Sequence, residues 1–453
     1  MSNDSYKSES ICAISSPPGI GGVSLIRISG PDSFSIVEKI FSKSLKDIRG
    51  CQVLYGKIIE KKQIIDDVIV AVFKNPHSFT GENTVEINCH GSTFIQQKII
   101  ELLINNGARL ALPGEFSKRA FLNGKLDLSQ TEAIADLINS KSSAAHEIAI
   151  KQLKGGISSE LKILRNKLIE FASLIELELD FSEEDVEFAD RKHLNELIKD
   201  LIDHIVQLKK SFHYGNAIKN GVSTVIAGRP NAGKSTLLNN ILNENRAIVS
   251  SIAGTTRDTI EEIITINGID FRLVDTAGIR NTEDEIEKIG VAKTLEKINQ
   301  SSLVIYIYDS LSTTDKEVDE DLSKYIENKV PCLVIANKID LVKSSRDIPK
   351  DHLTVSLKTT PNTLEIKESI FELFERNNVH NESVEISNMR HFEALELAYN
   401  ELIKVEKGLS ENIPGDLIAM DIRQVLYYIG TITGDISSDE LLGNIFANFC
   451  IGK

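Results

Sequence analysis

The sequence predicts a multidomain α/β protein. A P-loop domain, with a mostly parallel sheet and helices on both faces, is inserted into an all-α helical domain, and an α+β domain precedes both. Three observations predict this. A glycine loop, Gly228-Arg229-Pro230-Asn231-Ala232-Gly233-Lys234-Ser235, lies between an apolar run, Val222 to Ala227, and a helix-like stretch, Leu237 to Leu242. That is the strand–loop–helix context that a phosphate cradle needs. Long helical periodicities stand on both sides of this segment. Before them, residues 11–124 mix strand and helix patterns.

In chain order, Val23 to Ile28 and Val68 to Phe73 read as strands, and Thr84 to Ile87 alternates as a half-buried strand does. Ile95 to Ile104 reads as a helix with Ile95, Ile99, Leu102 and Leu103 on one face. Gly19-Ile20-Gly21-Gly22 lacks the third glycine of a dinucleotide loop and is set aside. Ser129-Gln130-Thr131-Glu132 has the capping-box pattern and is expected to open a helix. Leu161, Leu164, Leu168, Ala172, Ile175 and Leu179 then recur at helical spacing, as do Leu194, Leu197, Leu201, Ile205 and Leu208. The acidic joint between them, Asp180 to Asp190, reads as a solvated connection. Periodicity resumes near Asn388 with Phe392, Leu395, Ala398, Leu402 and Val405. The expected domains are therefore 1–124, 125–220 with 379–453 as one split helical domain, and 221–378 inserted between its parts.

Composition narrows the class. A net charge of −15 leaves no global basic field, so nucleic-acid contact would need a local patch or a second protein. The five cysteines, Cys12, Cys51, Cys89, Cys332 and Cys450, are scattered without a C-x-x-C pair. This argues for a reducing compartment and against a disulfide frame or zinc site; Cys89-His90 has no further ligands at metal spacing. No apolar run approaches the length of a membrane span, and the start resembles neither a signal nor a transit peptide. A cytoplasmic protein is expected.

The chemistry begins at the loop. Its glycines let successive N–H groups point at phosphate oxygens, and the helix N-terminus adds a favourable field. Lys234 would reach the β- and γ-phosphates, and Ser235 would hold Mg²⁺. Gly254 to Asp258 is a polar switch-like segment whose Thr256 offers a second Mg²⁺ ligand. Asn267-Gly268 between apolar runs signals a hairpin, and its second strand ends at Asp275-Thr276-Ala277-Gly278. There the aspartate suits the outer shell of Mg²⁺, and Gly278 admits the γ-phosphate. Two more strands follow, Leu303 to Tyr308 and Cys332 to Ala336. Asn337-Lys338-Ile339-Asp340 then selects the base: a carboxylate accepts from both N1–H and the 2-amino group of guanine, and adenine offers neither donor. Ser356-Leu357-Lys358 is placed to cover the base. For hydrolysis, Ile279 stands where many GTPases carry a water-orienting Gln. Glu283, Asp284, Glu285 and Glu287 lie downstream, and Arg257 and Arg280 offer charge; the residues alone do not choose among these.

The motifs together resemble the MnmE (TrmE) family of tRNA-modifying GTPases over essentially the whole chain. The specific marks are Pro17-Pro18-Gly19-Ile20-Gly21-Gly22-Val23, Ser78-Phe79-Thr80-Gly81-Glu82, Pro113-Gly114-Glu115-Phe116-Ser117, Arg119-Ala120-Phe121-Leu122-Asn123, Lys125-Leu126-Asp127-Leu128, the GTPase motifs and Phe449-Cys450-Ile451-Gly452-Lys453. The resemblance implies a folate-binding, dimerising N-terminal domain, a homodimer, and a heterotetramer or larger complex with MnmG (GidA), which carries FAD and NADH. Such a pair installs a carboxymethylaminomethyl group, or aminomethyl from ammonium, at C5 of the wobble uridine in certain tRNAs. The one-carbon unit comes from 5,10-methylenetetrahydrofolate (5-formyl-tetrahydrofolate being the alternative ligand).

By the same resemblance, Arg27, Glu86, Lys125 and Lys453 are the folate contacts. Arg and Lys suit the glutamate carboxylate of folate, and Glu86 suits the pterin donors. The implied nucleotide set is Asn231, Ala232, Gly233, Lys234, Ser235 and Thr236; Ser250, Ser251, Ile252, Ala253, Gly254, Thr255 and Thr256; Asp275, Thr276, Ala277 and Gly278; Asn337, Lys338, Ile339 and Asp340; and Ser356, Leu357 and Lys358. Asn231, Ser250, Ile252 and Thr255 match the K⁺ ligands that couple hydrolysis to G-domain dimerisation. Glu287 matches the glutamate that orients the attacking water; it and Lys234 are the expected catalytic residues. Cys450 matches a family cysteine that is a candidate for the chemistry, the other reading being a buried apolar cysteine near the folate pocket. Ile20 departs from the family, where Arg is frequent. A GTP switch for ribosome or complex assembly is the competing class; it needs neither the Phe449–Lys453 motif nor an N-terminal folate-like segment.

Overall fold

The computed structural model describes residues 9–46, 48, 50–180, 191–245, 261–275, 297–298, 301–326, 330–342, 348–377, 386–411, 413–447, 449–450 and 452. The described elements run β1 (Ile11–Ile14), β2 (Gly21–Ser29), α1 (Ser33–Glu38), β3 (Cys51–Glu60), β4 (Gln63–Phe73), β5 (Thr84–Gly91), α2 (Thr93–Asn105), β6 (Arg109–Leu110), α3 (Glu115–Leu122), α4 (Leu128–Asn139), α5 (Ser143–Leu153), α6 (Gly156–Asp180) and α7 (Arg191–Asn220). They continue β7 (Val222–Ala227), α8 (Lys234–Asn245), β8 (Glu261–Ile266), β9 (Ile269–Asp275), β10 (Leu303–Asp309), α9 (Asp315–Ile326), β11 (Cys332–Asn337), β12 (Leu353–Thr354), α10 (Thr363–Asn377), α11 (Met389–Ser410), α12 (Gly415–Thr433) and α13 (Asp439–Ala447). The chain divides into two compact units, Met1–Ile138 with Gln152–Asn166 and Leu426–Lys453, and Asn139–Lys151 with Lys167–Val425. No described helix is long and apolar enough to cross a membrane.

In the first unit the strands form one sheet in the order β3-β4-β5-β2-β1-β6. Strand alternation sends Ile26, Ile28, Val85 and Ile87 to one face, where Ile36 and Val37 of α1 and Ile99, Leu102 and Leu103 of α2 close a core. Arg27 and Glu86 are cross-strand partners. On the other face Ile11 and Ala13 pack with Phe116 of α3. Phe446 and Leu442 of α13 pack on Leu128. Each fully buried Val, Leu, Ile or Phe among these contributes roughly 1.5–3 kcal/mol.

The capping box at the start of α4 lies two residues earlier than the sequence pattern predicts. Asp127 Oδ1 accepts from Gln130 N at 2.8 Å, and Gln130 Oε1 accepts from Asp127 N at 3.0 Å. The reciprocal pair is therefore Asp127/Gln130. Ser129 lies inside the helix, and its hydroxyl donates back to Asp127 Oδ1 at 2.8 Å.

In the second unit the sheet order is β12-β11-β10-β7-β9-β8, with β8 antiparallel to β9 and the other neighbours parallel. Alternate residues serve two cores: Val222 and Ile226 of β7 meet Leu237 and Ile241 of α8 and Ile366 and Ile370 of α10, while Val225 and Ala227 meet Val318 of α9. This is the α/β plan in which ligands bind beyond the carboxyl ends of the strands. The helical stretches flanking it pack on one another: Phe212 of α7 stacks on Phe392 of α11 at 4.5 Å. Asn388 caps α11, accepting from Arg390 N at 3.0 Å. The Asp180 to Asp190 joint lies outside the described residues, apart from Asp180 itself, which ends α6.

The Asn267-Gly268 turn has φ of 48° and 81°, the left-handed pair that a two-residue hairpin requires. Its tip docks on α5: Gly268 O accepts from Ala144 N at 3.1 Å. A Cβ on Gly268 would stand 2.2 Å from Ser143 Oγ. Gly268→Ala is expected to destabilise this unit by about 1–2 kcal/mol through the left-handed strain alone. Thermal melting checks this; an unchanged Tm would mean that the tip does not hold this position.

Candidate functional site

The glycine loop follows β7 and ends in α8, as the sequence predicts. Asn231 takes φ 62°, a conformation that Asn tolerates better than most residues. Gly228 at φ 148° lies against β10, where a Cβ would stand 2.1 Å from Ile307 O. Lys234 Nζ donates to the carbonyls of Gly228 at 2.7 Å and Arg229 at 2.9 Å. Ser235 and Thr236 are exposed in the first turn of α8.

A cavity of about 790 Å³ opens over this loop. Asn231, Gly233, Lys234, Ser235, Thr236, Asn337, Lys338, Asp340, Ser356, Leu357 and Lys358 line it, joined by Leu341 and Thr359. Asn337 is the clamp between its halves: Nδ2 donates to Ala232 O at 2.8 Å, and Oδ1 accepts from Leu357 N at 3.2 Å. Asn240 Nδ2 donates to Leu357 O at 2.8 Å from α8. Asp340 is exposed at the cavity. Its carboxylate accepts from Ser356 Oγ, which itself accepts from Thr359 Oγ1 at 2.7 Å. Lys338 Nζ donates to Asp309 Oδ2 at 2.7 Å. Burial pushes the Asp309 carboxyl up, but the Lys338 bond and the Leu311 N–H hold it below its usual range. The Asp309 carboxylate thus sets the Lys338 stem along the cavity wall.

Sequence reasoning missed Thr359, Asp309 and Asn240. Asp309 ends β10 as Asp275 ends β9, and an acidic residue at a strand tip is the signal that marks it. Asp275 is described by its backbone alone. Ser250 to Thr256, Thr276, Ala277, Gly278, Glu287 and Lys453 lie outside the described residues, as do Arg257, Arg280 and Glu283 to Glu285.

A second constellation stands in the first unit. Arg27 donates to Glu86 Oε1 from Nε at 2.9 Å and Nη2 at 2.7 Å. Its guanidinium lies 5.4 Å from the Phe79 ring centre and 5.6 Å from that of Phe116. Gly452 O accepts from Ser15 Oγ at 3.0 Å and Arg27 Nη1 at 3.5 Å. Lys125 Nζ donates to Pro76 O at 3.1 Å instead. Cys450 is exposed and, with residues 13–19 and α2, lines a cavity of about 1010 Å³. Ile20 is 89% exposed beside that rim. Burial raises the thiols of Cys12 and Cys332 to about 12 and of Cys89 to about 11, so these three stay protonated at neutral pH.

The parallel sheet, the glycine loop and an Asp340 carboxylate aimed into the cavity define a P-loop protein of the GTPase class. Residues 128–450 match the MnmE helical domain, and residues 10–125 match the GTP-binding protein TrmE N-terminus. The chain is 50% identical over 451 residues to the tRNA modification GTPase MnmE of Cytophaga hutchinsonii, covering 98% of both chains. It is 48% identical over 463 residues to the tRNA modification GTPase MnmE of Flavobacterium johnsoniae, covering 98% of this chain and 99% of the relative. The chain belongs to the MnmE family of tRNA modification GTPases.

Proposed function

We propose that this GTPase, working with an MnmG-type partner that carries FAD and NADH, drives carboxymethylaminomethylation of wobble uridine C5 in tRNA, with a tetrahydrofolate one-carbon unit. The observation that supports a one-carbon site is the seating of Gly452 on Ser15 and Arg27. It brings Gly452 to the Arg27–Glu86 pair, whose guanidinium lies near the Phe79 and Phe116 rings. Arg27 would take a carboxylate of the ligand and Glu86 its N–H donors. Lys125 would leave Pro76 O, and Lys453 completes the proposed set. The domain division at 124, 220 and 378, homodimerisation and a cytoplasmic location belong to the same proposal.

At the nucleotide cavity Ser235 offers an exposed hydroxyl beside Lys234, an oxygen donor of the kind Mg²⁺ prefers; Thr256 is its proposed second ligand. Mg²⁺ would offset the charge of the phosphates. Asn231, exposed on the loop, offers a side-chain carbonyl for K⁺ together with the backbone of Ser250, Ile252 and Thr255. Lys234 would release the two loop carbonyls and take the β- and γ-phosphates, while Glu287 would orient water.

Calorimetry with 5-formyl-tetrahydrofolate tests the folate set. Arg27→Ala is expected to weaken binding at least about tenfold, since charge-assisted hydrogen bonds are lost; unaltered binding by a folded variant would refute it. GTP hydrolysis is expected to run faster in K⁺ than in Na⁺ at equal ionic strength, and equal rates would remove Asn231 from the ion site.

A further inference from the structure

Among the loop positions that the nucleotide reading leaves unused, Arg229 carries a charged side chain. Its side chain turns away from the cavity, onto α9. Nε donates to Asp321 Oδ2 at 2.8 Å, and Nη1 bonds Glu317 Oε1. The two carboxylates are one helical turn apart, so a planar fork reaches both. Both acids are themselves fixed. Glu317 Oε2 accepts from the N–H and the hydroxyl of Thr314, each at 2.8 Å, in the capping box that opens α9. Asp321 Oδ2 also accepts from Tyr306 OH of β10 at 3.0 Å. The Tyr306 ring is fully buried. Arg229 therefore ties the loop to a helix start and a central strand at once.

The other side of the same residue faces the nucleotide lysine. Lys234 Nζ rests on the carbonyls of Gly228 and Arg229. The peptide that the guanidinium anchors is thus the peptide on which the ammonium waits. Gly228 packs against β10 so closely that a Cβ there would stand 2.1 Å from Ile307 O.

We propose that Arg229 is a positioning residue for nucleotide binding: through Glu317 and Asp321 it holds the loop, and with it the Lys234 starting position, in the shape that receives phosphate. Arg229 does not touch the nucleotide. Its contribution is loss of loop freedom before binding, so it falls on affinity and not on the hydrolytic step. The proposal rests on the P-loop reading of this site. That reading is checked separately by Lys234→Ala, which is expected to abolish tight binding whatever Arg229 does.

The test is titration of the full-length protein with GDP and GTP, with single-turnover hydrolysis and melting curves on the same samples. Arg229→Ala is expected to raise Kd for both nucleotides about tenfold, while the single-turnover rate at saturating GTP changes less than threefold. Arg229→Lys should recover less than half of the lost affinity, because a point charge cannot fork two carboxylates. Glu317→Gln with Asp321→Asn should match Arg229→Ala, and adding Arg229→Ala to that pair should weaken binding no further, as for members of one network. Wild-type affinity in Arg229→Ala would overturn the proposal. Independent, additive losses from the arginine and the acid pair would overturn it too, as would full recovery by lysine or an equal loss in single-turnover rate. Melting curves separate these outcomes from a folding defect, and Arg229→Lys keeps a positive charge beside Glu317 and Asp321.

Discussion

Asp340→Asn lowers GTP affinity by about 10³–10⁴-fold, because a site built to pair polar groups rejects the partner that leaves them unpaired. The carboxylate offers two acceptors to the two donors on the guanine edge. The introduced amide keeps one acceptor and turns a donor toward the 2-amino group. Ser356 Oγ orients Asp340 through one oxygen, and an amide oxygen can accept that bond. The substitution therefore changes the chemistry of the edge with little change in shape. A xanthine base carries oxygen where guanine has the 2-amino group, so the variant should bind XTP more tightly than GTP. Parallel titrations read both values. GTP affinity within tenfold of the native protein would place the base elsewhere.

Gly233→Ala weakens nucleotide binding by about 30-fold or more. Gly233 has φ 112°, and a Cβ there would stand 2.3 Å from Asn337 Nδ2. Asn337 is 3% exposed and its amide spans from Ala232 O to Leu357 N. The added methyl displaces a side chain that holds the phosphate loop and the base loop together. Stranding a buried amide costs about 1–3 kcal/mol. A left-handed backbone at a non-glycine residue costs about 1–2 kcal/mol more. The altered loop relaxes to escape both costs and binding must restore the native shape, so even the lower ends of the ranges, about 2 kcal/mol together, weaken binding roughly thirtyfold. Equilibrium titration checks this, and near-native affinity would show that Asn337 is not the clamp.

Local signals in the sequence carried far, for identifiable reasons. Val222 to Ala227 is bounded by Gly221 and Gly228, both at positive φ, so the strand limits are written in the glycines. Asn267-Gly268 admits one hairpin geometry and takes it. The start of α4 is misplaced by the Ser129/Glu132 pattern because Asp127/Gln130 satisfies the same spacing two residues earlier, and hydrogen bonding selects it. Contacts distant in sequence were not legible. Nothing near Arg229 points to Glu317 or Asp321, which lie 88 and 92 residues away. Nothing near Gly268 points to Ala144. Asn337 reads as a base-recognition residue, yet its role as a clamp depends on how close Ala232 and Leu357 come in the folded chain.

The central claim is that GTP hydrolysis here serves tRNA modification through the chain's last residues, of which Gly452 is held by Ser15 and Arg27. The direct measurement is nucleoside composition of tRNA from cells whose only copy lacks residues 450–453, alongside GTP hydrolysis by the same purified variant. Loss of Gly452 removes the acceptor of Ser15 and Arg27 while the nucleotide cavity stays whole. The expected result is an unmodified wobble uridine C5 with GTP hydrolysis retained. A full complement of modified wobble uridine in those cells would contradict the account.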